Sequence, residues 1–258
     1  MNLIYQFWNG EVPEYAKISR KWFESYAKDI GAEYLFLDNP KSFSNYGEYF
    51  NACRPIFDKQ FHTYDKVLYL DMDIFPVKGL KENIFDTPCK GISMAVEPEQ
   101  VEQRLKGWNR DINSKNDIKW SHIISLKFGS EIPFKDGTPE VYNSGVVLYT
   151  QEFLKNAHSY FIDINDYISA MNLYEMPRFY SLDQNYLHAN AFLSNEFNEL
   201  DCEWNRQLYF YGPQNEENRP IYDKRTKDTK FVHYQVRGRN ILDEDLLLKR
   251  INTPAENW

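Results

Sequence analysis

The chain has 258 residues, enough for one large α/β domain or two small ones, and no Ser-, Gly- or Pro-rich run marks a linker, so one domain is expected. A hydrophobic fraction of 42% and a charged fraction of 26% describe a globular protein, and a net charge of -8 excludes one that wraps nucleic acid or holds an anionic membrane by bulk charge. Three scattered cysteines (Cys53, Cys89, Cys202) make neither a zinc cluster nor a disulfide framework, no stretch reaches the ~20 apolar residues that span a bilayer, and the start lacks a basic leader, which predicts a soluble cytoplasmic protein.

Asn2 to Trp8, NLIYQFW, reads as a first strand that ends in the turn dipeptide Asn9-Gly10. From Pro13 to Ile30 apolar residues recur near helical spacing (Tyr15, Ile18, Trp22, Phe23, Tyr26, Ala27, Ile30), and Gly31 supplies the C-terminal cap. Tyr34 to Leu37 is a short second strand. Glu48 to Phe61 is helical but contains Arg54-Pro55; proline restricts the residue before it, so Arg54 is expected at a break.

Val67 to Leu70 then runs as an apolar strand straight into Asp71-Met72-Asp73. Side chains alternate along an extended chain, so the two carboxylates fall on one side, roughly 6.5 to 7 Å apart at the backbone. Two ionised carboxylates this close repel, and a hard divalent cation with oxygen ligands relieves that repulsion. In an open α/β sheet, ligands gather outside the carboxyl ends of the strands, where this pair lies. A strand running into an acidic turn gives the same short pattern.

Gly91 to Val96 is another strand, followed by Glu97 to Tyr142, a polar stretch without a clear element and of the kind that carries a binding surface. Tyr142 to Tyr149 is a strand opening on Asn143-Ser144-Gly145, which offers an amide, a hydroxyl and a close backbone approach. Gln151 to Tyr174 reads as one helix, and another begins at Ser181-Leu182-Asp183-Gln184 and runs through Leu193. Ser181 and Gln184 have capping-box spacing, and Asp183 suits the helix dipole. Leu200 to Gln207 carries Trp204-Asn205, Gln214 to Asp228 reads as polar loop, and Phe231 to Arg239 is a short strand breaking into a basic turn. A helix from Asp243 to Ile251 closes the sequence, and no internal repeat is present. Strand, helix, strand, helix, strand over the first seventy residues predicts an α/β doubly wound fold with a mixed, mostly parallel central sheet flanked by helices.

Four short motifs in order, Asp71-x-Asp73, Asn143-Ser144-Gly145-Val146, Asp183-Gln184 and a late His233 near Arg237 and Arg239, resemble those of GT-A fold nucleotide-sugar glycosyltransferases. The likeness is greatest to the glycogenin and bacterial lipooligosaccharide galactosyltransferase group, and it spans Ile4 to about Arg239. The resemblance implies a single glycosyltransferase domain over 1–258, with about 1–96 binding nucleotide and metal and about 97–258 on the acceptor side. Asp71, Asp73 and His233 would hold Mn²⁺ or Mg²⁺ against the diphosphate of a nucleotide sugar, with Asp71 also within reach of the ribose. Arg54 would touch the donor, Asn143, Asp183 and Gln184 would line the sugar pocket, and Gln6, Phe7 and Trp8 would lie near the base. The group's late motif His-x-x-Gly-x-x-Lys-Pro-Trp is here HYQVRGR, so Arg237 or Arg239 would take the place of its Lys at the phosphates. The implied reaction is metal-dependent transfer to a glycan or other hydroxyl acceptor with retention, although Asp183 could also serve as general base in an inverting one. Two alternatives are a non-catalytic sugar- or nucleotide-binding protein of the same fold and a haloacid-dehalogenase-type phosphatase. The phosphatase lacks support in this sequence, because its later Lys and Gly-Asp motif are missing.

Overall fold

The computed structural model describes residues 1–42, 47–96, 104, 110–209, 222–235 and 244–253. Strand β1 (Leu3–Trp8) is followed by helix α1 (Glu14–Asp29), which turns Ala16, Ile18, Phe23, Tyr26 and Ala27 inward. The helix stops where Gly31 takes a φ of +71°, a left-handed backbone open to a residue without Cβ, and the Ala32 amide donates back to the Ala27 carbonyl at 2.9 Å. Strand β2 (Glu33–Asp38) then pairs parallel with β1, and β3 (Lys66–Leu70) pairs parallel on the other side of β1. Between them the predicted helix is broken. The 3₁₀ turns Glu48–Cys53 and Lys59–Thr63 flank a single α-turn, α2 (Arg54–Phe57), with Pro55 in its first turn as the missing amide dictates.

Strand β4 (Ile74–Pro76) leaves this sheet, and β5 (Ile92–Val96) rejoins it. Then come α3 (Ser114–Phe128), a small hairpin of β6 (Phe134–Lys135) and β7 (Thr138–Pro139), and the long β8 (Tyr142–Thr150), buried in all but its last residue. The remaining α-helices and strands among the described residues are α4 (Gln151–Ala157), α5 (Ile164–Leu173), α6 (Asp183–Leu193), β9 (Phe197–Leu200), β10 (Arg206–Tyr209), β11 (Tyr222–Asp223), β12 (Phe231–Gln235) and α7 (Glu244–Asn252).

Six strands form the main sheet in the order β2-β1-β3-β8-β5-β9. Only β8 runs against its neighbours, β3 and β5, so the sheet is mixed and mostly parallel, as expected. Its two faces are both covered, which explains the near-continuous apolar runs. Leu3, Tyr5, Val67, Tyr69, Val147 and Tyr149 face a core shared with Phe153 and Tyr186, while Ile4, Leu68, Leu70, Val146 and Leu148 face Phe23, Tyr26 and Phe231. A second sheet, β11-β10-β12-β4, lies against α1 and α7, with Phe75, Val232, Leu208, Leu247 and Ile251 between them.

Three expectations are corrected. The stretch 97–142 contains a helix, α3, whose buried face carries Asp117 and Ser121 among Trp120, Ile123 and Ile124 while Leu126 is exposed, so its apolar period is blurred. The expected helix Gln151–Tyr174 is two helices, because the Asp163 carboxylate caps α5 by accepting from the Asn165 and Asp166 amides. Part of the polar loop 214–228 is strand β11. Among the described residues no helix is long and apolar enough to cross a membrane, and the three cysteines are free.

Candidate active site at the junction of the two sheets

Because β8 is antiparallel to β3, its small polar opening lies beside the carboxyl end of β3. Leu70 faces Val146, and the Asp71 amide donates to the Gly145 carbonyl at 2.8 Å. The chain then crosses from the main sheet to the second through Asp71-Met72-Asp73. The two carboxylates converge through a turn, in which the Ile74 amide donates to the Asp71 carbonyl at 3.3 Å, and not by strand alternation. In the second sheet β4 pairs with β12, so Ile74 faces His233, and the Tyr234 amide donates to the Asp73 carbonyl at 2.9 Å. One side-chain ligand atom from each of Asp71, Asp73 and His233 lies within 4.8 Å of the others, and Asp73 Oδ1 is 3.3 Å from His233 Nε2.

Gly145 sits inside this group. A Cβ there would come within 2.8 Å of Asn143 Oδ1, 2.9 Å of His233 Cε1 and 3.1 Å of Asp71 Oδ2, so glycine is required by close approach. The donor set is two carboxylates and one imidazole, a mixture that suits Mn²⁺ and also accepts Mg²⁺. Together with the cradle at Gly145, this set fits a divalent cation.

Burial and the neighbouring Asp73 charge push the Asp71 carboxyl up to about 6, against the pull of His233 and of the Tyr69 hydroxyl. That hydroxyl donates to Asp71 Oδ1 at 2.6 Å. Asp183, on the first turn of α6, is pushed up to about 7 by burial and by Asp71, while its own amide, the Gln184 amide and the Ser144 hydroxyl hold it down. The expected capping box does not form: Leu182 occupies the cap position without a side-chain bond. Gln184 Oε1 accepts from Asn143 Nδ2 at 3.4 Å, so this side chain faces the site.

A cleft of about 290 Å³ opens beside the carboxylates, lined by Phe7, Trp8, Tyr15, Tyr49, Asp71 and Asp73, with Glu48 at its wall. Phe7 and Trp8, expected near the base, line this cleft. Gln6 is fully buried behind them: its Nε2 donates to Ser19 Oγ at 3.1 Å and to the Asp71 carbonyl at 3.2 Å, and its Oε1 accepts from Tyr34 at 2.7 Å. Arg54 is turned elsewhere, to Asp58 Oδ2 at 3.3 Å, the Lys41 carbonyl at 2.9 Å and Asn51 Oδ1 at 2.8 Å. Arg237 and Arg239 lie outside the described residues. Tyr69, Tyr15, Tyr49 and Asn205 were not among the site residues expected from sequence. Only Tyr69 carried a signal, its place two residues before Asp71 at the end of β3.

Residues 11–238 match the family described as glycosyl transferase family 8. Among solved structures, a glycosyltransferase involved in the glycosylation of the major capsid of PBCV-1 is similar with a TM-score of 0.50 and 13% identity, over 92% of this chain and 96% of that one. An active-site mutant of LgtC is similar at 0.52 and 15% identity, over 99% of this chain and 98% of that one. The bifunctional glycosyltransferase WbbM reaches 0.54 at 14% identity, over 99% of this chain and 50% of its own. No curated protein matches the chain.

Proposed function

From the premise that the chain belongs to glycosyl transferase family 8 and is a glycosyltransferase, we propose that it moves a sugar from a nucleotide-diphosphate sugar to a hydroxyl of a glycan, with Mn²⁺ or Mg²⁺ and with retention. The observation that carries this reading is the convergence of Asp71, Asp73 and His233 at the mouth of an aromatic cleft. These three residues would hold the cation. Bound there, it would supply Lewis-acid stabilisation of the charge left on the diphosphate. The rings of Phe7, Trp8, Tyr15 and Tyr49 offer faces on which a base can lie, and the cleft is continuous with the carboxylates.

The sugar side falls to Asn143, Asp183 and Gln184. Their amides and carboxyl can orient hydroxyls and steady positive charge developing on the ring. A carboxyl pushed up to about 7 exchanges a proton readily near neutral pH, which suits Asp183 to hold or take a sugar hydroxyl proton. Family membership supports retention, and the anomeric configuration of the product, read by NMR, tests it. It also displaces the phosphatase alternative.

The decisive assay is a panel of UDP-, GDP- and dTDP-sugars followed for hydrolysis or transfer with and without Mn²⁺. Nucleotide binding by none of them in the presence of metal would sink the proposal. Asp73→Asn is expected to abolish Mn²⁺-dependent nucleotide binding by calorimetry while leaving the far-UV circular dichroism unchanged. Equal affinity in the variant would make the carboxylate pair structural.

A further inference from the structure

Behind the His233 imidazole runs a chain of buried hydrogen bonds whose direction follows from one fixed donor. A backbone amide can only donate, and the Gly145 amide lies 2.8 Å from one terminal atom of the Asn143 side chain, which is therefore the oxygen Oδ1. Asn205 reaches the same oxygen at 2.8 Å, so it must present its nitrogen Nδ2. The other end of the Asn205 amide is then Oδ1, an acceptor, and it stands 3.1 Å from His233 Nδ1. An acceptor at that point calls for a proton on Nδ1. Neutral imidazole carries one ring proton, so a proton held on Nδ1 leaves the Nε2 lone pair for a cation; without one, Nε2 faces the Asp73 Oδ1 acceptor at 3.3 Å. The same deduction orients Asn143: its Oδ1 is taken by two donors, and its Nδ2 faces Gln184 Oε1.

We propose that Asn205 is a positioning residue that holds a proton on His233 Nδ1, so that Nε2 presents its lone pair when a cation binds, and that locks the Asn143 amide with its N–H groups towards the sugar pocket. The inference rests on the reading of Asp71, Asp73 and His233 as cation ligands. Asn205 is well placed for such a task. It is 6% exposed, its backbone amide donates to the Cys202 carbonyl at 2.8 Å, and the preceding Trp204 ring meets Phe231 edge-on at 5.0 Å. A buried asparagine must find partners for both ends of its amide. Here one end serves the metal side and the other the sugar side. Ligand histidines depend on such a partner for ring orientation and basicity.

The test has a readout that needs neither metal nor activity. In ¹⁵N-histidine-labelled, metal-free protein, the His233 ring shifts are expected to show a proton held on Nδ1, with or without a second one drawn to Nε2 by Asp73; a folded wild type with a bare Nδ1 overturns the proposal. Mn²⁺ affinity is then measured by calorimetry on wild type, Asn205→Ser and Asn205→Asp. The serine variant, too short for either contact, is expected to bind Mn²⁺ about tenfold to a hundredfold more weakly and to show mixed tautomers. The aspartate variant keeps the acceptor for Nδ1–H and loses the donor to Asn143. It is expected to retain the tautomer and the Mn²⁺ affinity while its kcat with donor falls. Equal weakening of metal binding in both variants, or none in the serine variant, overturns the proposal. A wild type with the expected tautomer that binds no Mn²⁺ would instead sink the cation reading and leave the positioning of His233 standing.

Discussion

Gly145 does not have a left-handed backbone, so an alanine there meets no backbone strain and acts only through what its methyl group touches. Two of those neighbours, His233 and Asn143, are buried, and Asp71 is the third. Gly145→Ala is expected to cost about 1–3 kcal/mol in urea unfolding, the usual range for overpacking. It should also weaken Mn²⁺-dependent nucleotide binding by calorimetry, since two of the displaced groups, His233 and Asp71, are candidate ligands. Stability lost with affinity unchanged would mean that the neighbours yield without moving the ligand atoms. At this scale the sequence is legible where chemistry is local. Asp71 and Asp73 stand together at the end of an apolar run, and the resemblance that reached His233 needed a motif far along the chain. Asn205 left no trace, because an asparagine amide suits a turn, a cap or a network equally well and only the folded backbone decides which.

Helix α6 shows what an element's surroundings do to its residues. Residues 185 to 191 are all buried, so the helix has no solvent face and its first turn is free to present Asp183 and Gln184 to the site. His188 lies among the rings of Trp120, Tyr142 and Phe192 at 5.0, 5.3 and 5.3 Å, and its Nε2 is buried without a partner. Burial, reinforced by Arg104, pushes its pKa from 6.5 down to about 3. Between those values the unfolded chain carries a proton on this histidine and the folded chain does not, so stability falls as the pH drops through that window. The slope is about 1.4 kcal/mol per pH unit for one such group. His188→Leu is expected to flatten the decline of unfolding free energy between pH 6 and 4 by about that slope; parallel curves for variant and wild type would show that His188 is not the group responsible. Helices with a clean apolar stripe, such as α1, were readable within a residue at each end. α3 was not, because its inward face includes Asp117, which accepts from Arg104 and from the Tyr180 hydroxyl. A buried ion pair looks like surface in a sequence.

At the scale of the whole molecule, five of the six strands of the main sheet were legible, β9 being the exception, whereas of the second sheet only β12 was. Parallel strands buried on both faces announce themselves as apolar runs, whereas β4, β10 and β11 are two to four residues long and are defined by their partners. The candidate ligands span both sheets: Asp71 follows β3 of the first, while Asp73 precedes β4 and His233 lies on β12 of the second. Anything that binds them favours the fold over the open chain. With Mn²⁺ and UDP each at about a hundred times its dissociation constant, saturation adds about 2.7 kcal/mol per independent ligand. The expected result in a thermal scan is a midpoint raised by about 2–4 °C for each kcal/mol, and Mn²⁺ that leaves the midpoint unmoved would argue against a site that bridges the sheets. Strand β4 has further meaning for how the molecule is made. Among the described residues it lies at the edge of the second sheet, with β12 as its one strand neighbour. A chain leaving the ribosome exposes Ile74–Pro76 long before Phe231–Gln235 has been synthesised. During that interval the strand just beyond the two aspartates shows open backbone groups to any passing chain, a state that invites mispairing. The carboxylates wait with it, and His233 joins them only after about 160 further residues have been translated.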